Sequence, residues 1–188
     1  ARQGARIALH GFGEPKLLRA LEQELGALSG QPARLFSADL AHQDQIENLI
    51  ADVQADLGRI DILVNNAGIQ HVAPLASFPP ERWNAILAVN LSAPFHTTRL
   101  VLPIMRRHHW GRIINIASVS GLVAAPFKAG YTAAKHGLVG LTKVTALETA
   151  ESPITCNAIC PGWVLTPIAE QQIQDRMNRA SGANVMLG

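Results

Sequence analysis

Charge is scarce in this chain. Asp, Glu, Lys and Arg make up 16% of its 188 residues, and the 16 basic side chains nearly balance the 14 acidic ones. A formal net charge of +2 leaves no broad field of one sign with which to hold a nucleic acid. The basic cluster Arg106-Arg107-His108-His109 is short and falls where a helix is expected to end, a place where cations suit the helix dipole. No apolar run approaches the roughly 18 residues of a membrane span, and no signal-peptide pattern is visible. A cytoplasmic location, with neither nucleic acid nor membrane as partner, is the expectation. Cysteine is nearly absent. Cys156 and Cys160 lie within one strand-like run. Four strand residues span about 13 Å, beyond the ~7 Å between Cα atoms that a disulfide tolerates, so both are expected as reduced thiols. No His or second Cys pair accompanies them, so no metal is expected there. Repeats and low-complexity linkers are also missing, which makes residues 1–188 a single domain.

What is abundant is apolar sequence, 48% of the chain, enough for a real core. It is distributed in alternation. Strand-like runs are expected over 5–9, 33–37, 61–65, 112–117 and 154–159. Between and after them come helix-like runs over 15–25, 42–57, 80–108, 130–150 and 167–179. Pro94 should break the third helix or start its second piece. Ile62-Leu63-Val64 is continuously apolar, as in a strand buried on both faces. Such alternation predicts an α/β fold with a doubly wound parallel sheet, in which ligands bind at the carboxyl ends of the strands.

The strand ends therefore carry the functional reading, above all the stretch from Ser118 to Lys135. Tyr131 and Lys135 are four apart, on one face of a helix. Ser118 lies thirteen residues before Tyr131 at the end of a strand, where a loop can fold it over that helix. A tyrosine ordinarily titrates near ~10. An ammonium one turn away favours the phenolate, which can exchange a proton with an alcohol or carbonyl oxygen that the serine holds. The alternative is that a Tyr-x3-Lys pair arises by chance and packs a half-buried ring. Asn65-Asn66-Ala67-Gly68, at the end of another strand, is not explained by turn preference alone when it stands opposite such a trio.

Taken together, Asn65-Asn66-Ala67-Gly68, Asn90, the Ser118/Tyr131/Lys135 trio and Pro161-Gly162 resemble the short-chain dehydrogenase/reductase family over nearly the whole chain. The resemblance implies a Rossmann-type fold and a nicotinamide cofactor. It makes Tyr131 the acid/base, Lys135 its electrostatic partner and a ligand of the nicotinamide ribose, and Ser118 the group that orients the substrate oxygen. Asn90 would hold a water in a proton relay from Lys135. Asp39 and Leu40 would meet the adenine, Asn66, Ala67 and Gly68 the adenosine ribose. Pro161, Gly162, Val164 and Thr166 would meet the nicotinamide end. An acid at the end of the second strand of such a fold favours NAD and an arginine NADP; here His10-Gly11-Phe12 is neither. The resemblance points to NAD, with Phe12 near the adenosine.

Within the family the chain resembles the bacterial 3-hydroxybutyrate dehydrogenases, through His10-Gly11-Phe12-Gly13, Gly68 to Val72, Pro126 to Gly130, Pro161 to Pro167 and Glu170 to Ile173. That implies a small hydroxy or keto acid whose carboxylate Gln70, Lys128 and Gln172 bind, with Trp163 as a wall. It also implies a homotetramer. Ser120 departs from relatives that carry histidine there. The alternatives are another short-chain reductase, acting on a 3-oxoacyl thioester or a sugar, and an inactive fragment or binding module. The last arises because no GxGxxG segment is present, and Ala1-Arg2-Gln3-Gly4 resembles the tail of the helix that follows it. The family's first strand and its C-terminal strand are thus expected to be missing from these 188 residues.

Overall fold

The computed structural model describes residues 1–162, in which five strands alternate with helices. β1 (Ala8–His10) leads into α1 (Pro15–Ser29), and β2 (Arg34–Phe36) into α2 (Gln43–Leu57). β3 (Ile62–Asn65) is followed by α3 (Pro80–Leu87), a π-helical turn (Ala88–Ser92) and α4 (Ala93–Arg107). β4 (Gly111–Ile116) runs into α5 (Ala129–Glu148) and then β5 (Ile154–Ile159). Pro15 starts α1 at a position that lacks an intrahelical acceptor anyway. Both α1 and α2 stop at a glycine in the left-handed conformation, Gly30 and Gly58, whose N–H closes back on the last turn. The expected helix over 167–179 lies outside the described residues.

All strand pairs are parallel, in two sheets: β1 with β2, and β3–β4–β5 in that order. The split matches the expected fold without its first strand, which in the order 3-2-1-4-5-6 pairs with both the second and the fourth. It also corrects one expectation. Ile62 and Val64 are half exposed, 51% and 52%, not buried on both faces. β3 is an edge strand of its sheet, and no described element covers the face to which these two side chains point. Leu63, pointing the other way, packs on the core.

That core fills the space between one face of the β3–β4–β5 sheet and two helices. Leu49, Ile50 and Val53 of α2 meet Val101, Ile104 and Met105 of α4 over Ile113, Ile154 and Cys156. On that same face α5 buries Ala134, Leu138, Thr142 and Thr145, spaced at 4, 4 and 3, and its Ala146 packs on the core. A chain of amides and hydroxyls ties the layers together. Thr97 Oγ1 donates to Asn65 Oδ1 (2.8 Å), Asn65 Nδ2 to Asn115 Oδ1 (2.8 Å), and Asn115 Nδ2 to Thr142 Oγ1 (2.9 Å). Because each link is satisfied, the network holds α4, β3, β4 and α5 in register beneath the carboxyl ends of the strands. The two-piece helix expected over 80–108 is present. Its break is the π turn, and Pro94 sits harmlessly in the first turn of α4.

Candidate active site

A cleft of about 1280 Å³ opens along the carboxyl ends of the strands. At one end it is lined by Phe12 beyond β1, and by Asp39 and Leu40 beyond β2. Asn66, Ala67, Gly68 and Gln70, beyond β3, form its middle. Ser118, Lys128, Tyr131 and Lys135, with Pro161 and Gly162, form the other end. The structure thus gathers thirteen of the residues singled out above. Trp163, Val164, Thr166 and Gln172 lie outside the described residues. Asn90 is not in the lining but directly beneath it.

The reactive end is built by one turn resting on one helix. Ser118 ends the β4 run, and its Oγ accepts the Ser120 N–H at 3.1 Å, capping the 3₁₀ turn Val119–Gly121. That turn lies against α5 so closely that a Cβ on Gly121 would stand 2.7 Å from the Lys135 carbonyl oxygen. Only glycine permits the approach. On α5 the one-turn spacing brings Lys135 Nζ to 5.6 Å from the centre of the Tyr131 ring. The ammonium is buried and donates to the Ile116 carbonyl at 2.6 Å. Burial pulls its pKa from 10.5 down to about 8, a shift that Cys160 partly opposes. A phenol, a hydroxyl and a cation of reduced basicity thus face one space, the set needed to move a proton at a substrate oxygen.

Asn90 sits within the π turn, fully buried. Its Oδ1 accepts the Ile69 N–H at 2.9 Å and its Nδ2 donates to the Ile69 carbonyl at 3.0 Å. The side chain therefore clamps the backbone of the 66–70 segment to the helix layer. At the far end, His10 Nε2 donates to the Ala38 carbonyl at 2.8 Å and meets the Phe12 ring edge-on at 5.8 Å. Asp39 Oδ1 accepts the Ala41 N–H, while its own N–H donates to Gln45 Oε1. The sequence reading passed over His10, Ile69, Ala85, Val89 and Val123 as lining residues. For His10 the signal was its place at a strand end. For the apolar four, periodicity carries no mark that separates a cleft wall from a core.

A sequence profile described as short chain dehydrogenase matches residues 1–177. The chain belongs to the short chain dehydrogenase family. This short-chain dehydrogenase is 54% identical over 181 residues to the D-beta-hydroxybutyrate dehydrogenase of Cupriavidus necator, covering 95% of this chain and 69% of that protein. It is 52% identical over 176 residues to the protein of the same name from Rhizobium meliloti, covering 94% and 68%. Among solved structures, NAD+-bound xylitol dehydrogenase superposes with a TM-score of 0.82 at 30% identity, over 89% of this chain and 65% of that one. The fold, the family and an oxidoreductase class are thereby set.

Proposed function

We propose that this short-chain dehydrogenase interconverts (R)-3-hydroxybutyrate and acetoacetate with NAD, and that Tyr131 is its acid/base. The observation that carries the reading is the cleft itself. It joins a Ser118/Tyr131/Lys135 cluster to a buried, cleft-lining lysine, Lys128, in a chain 54% identical to a protein named for this substrate. A four-carbon hydroxy acid offers one carboxylate and one reacting oxygen, and the cleft has a candidate for each.

The donor set suits the cofactor. Asp39 and Leu40 would hold the adenine, Phe12 the adenosine, and Asn66, Ala67 and Gly68 its ribose. Lys135 and Tyr131 would hold the nicotinamide ribose, and Pro161 and Gly162, with Val164 and Thr166, the nicotinamide. The NAD+ in the xylitol dehydrogenase structure favours NAD. When bound, NAD would supply the acceptor for the hydride leaving C3 of the hydroxy acid. The rest falls to the chain. Ser118 orients the C3 oxygen, and Tyr131 takes its proton as the carbonyl forms. The Lys135 cation favours the charge left on the phenol oxygen. Gln70, Lys128 and Gln172 bind the carboxylate, with Trp163 as a wall. Because the Asn90 side chain is committed to Ile69, a relay water there would be held by its main chain. Val144 and Leu147, exposed three apart on α5, support a homotetramer assembled through that helix.

The test is NADH formation from NAD and (R)-3-hydroxybutyrate. Tyr131→Phe is expected to lower kcat at least about a thousandfold, and Lys128→Ala to raise KM about tenfold or more with less effect on kcat. Turnover of a neutral alcohol as fast as of the hydroxy acid would overturn the substrate assignment.

A further inference from the structure

Among the described residues only two non-glycine positions have positive φ: His109 (50°), in the turn between α4 and β4, and Phe127 (68°). The second is the more telling, because a bulky side chain is sterically disfavoured there and persists only where its surroundings demand it. Phe127 immediately precedes Lys128, the residue that caps α5. Its own ring is 49% exposed, so the unusual backbone does not serve to bury it.

What the turn achieves is visible in the two carbonyls that flank it. The Phe127 carbonyl accepts the Ala73 N–H at 3.0 Å, reaching the segment that carries Gln70 three residues earlier. The next carbonyl, that of Lys128, accepts the Thr132 N–H at 2.8 Å and begins α5. Between these commitments the Lys128 side chain is 8% exposed and lines the cleft with Tyr131.

We propose that Phe127 is a positioning residue. Its left-handed backbone turns Lys128 into the cleft and ties it to the Gln70 segment, so that one strained peptide sets the spacing of two carboxylate-binding groups. The part of this that concerns substrate rests on the assignment of Lys128 to the carboxylate.

Amine acylation mapped by peptide mass tests the positioning without any substrate, with exposed Lys16 and Lys143 as internal standards. Phe127→Gly accepts the left-handed conformation at no steric cost and is expected to leave Lys128 as protected as in the parent. Phe127→Val, β-branched and unable to adopt it, is expected to expose Lys128 to acylation about tenfold faster, as a local opening would. Phe127→Ala should fall between, and serves if the valine variant does not fold. KM for (R)-3-hydroxybutyrate is expected to rise in parallel with the acylation rate, with NADH affinity by fluorescence unchanged. Equal protection in all variants overturns the proposal, as does equal deprotection of the glycine and valine variants, which would make the ring and not the backbone responsible. If acylation follows the expected order while KM stays fixed, the positioning stands and the assignment of Lys128 to the carboxylate falls.

Discussion

At the scale of single residues, Lys135 and Gly121 make separable predictions. Lys135 has a folded pKa of about 8 against 10.5 for an unperturbed lysine. Between those values the unfolded chain binds more protons, so its contribution to stability rises with pH across that window and is flat below it. Denaturation midpoints at pH 8 and 10 should show this rise as a difference between the parent and Lys135→Met. The comparison with the variant removes the opposing contribution of Cys156, whose thiol burial pushes up to about 11. A difference that does not change with pH would show that the lysine is not desolvated. Gly121→Ala places a methyl group against the Lys135 carbonyl. Overpacking of that kind costs about 1–3 kcal/mol, and because it moves Ser118 away from Tyr131, kcat should fall more than KM rises. How far these residues were legible differs. Tyr131 and Lys135 stand out only when their spacing is read together with Ser118 at a strand end and Asn65-Asn66-Ala67-Gly68 opposite, since the pair alone can arise by chance. Nothing in Pro126-Phe127-Lys128 marks a left-handed residue, because the glycine or asparagine that normally signals one is missing.

At the scale of elements, the π turn is the part that pattern could not supply. Hydrophobic periodicity reports which face of a helix is buried, and over 80–108 it marks a helix whose break is expected only from Pro94. A π turn depends on which backbone groups pair, here the Ala93 N–H with the Ala88 carbonyl, and the side chains do not encode that. Its effect is to hold Asn90 against Ile69. Asn90→Ala removes the side-chain partner of both the Ile69 N–H and its carbonyl, two part-buried hydrogen bonds of about 0.5–1.5 kcal/mol each. The expected result is a lower urea midpoint together with weaker NADH binding, since the freed segment includes Asn66, Ala67 and Gly68. Unchanged binding would detach the clamp from the cofactor end of the cleft. Element types and order were legible, because parallel strands buried under helices leave strong apolar runs. The exposure of Ile62 and Val64 was not, because it depends on what packs over that face of the sheet and not on β3 itself.

At the scale of the whole molecule, two features carry expectations. Gly140, Val144 and Leu147 share one face of α5, with Leu147 77% exposed and open space where a Cβ on Gly140 would stand. Leu147→Asp is expected to lower the sedimentation coefficient if that face joins copies of the chain, and to leave it unchanged if not. The described strands fall into two sheets of unequal strength: β1–β2 pairs three residues with three, whereas β4–β5 pairs six with six. Amide exchange should therefore be faster in 8–10 and 34–36 than in 111–116. The same division bears on how such a protein can change. The groups proposed to handle the proton hang from β4 and α5, and those proposed to meet the adenosine hang largely from β1 and β2. Because the two sets hang from different strands, residues 10–42 could be exchanged for the matching stretch of a relative with another cofactor preference while the chemistry at Tyr131 is inherited intact.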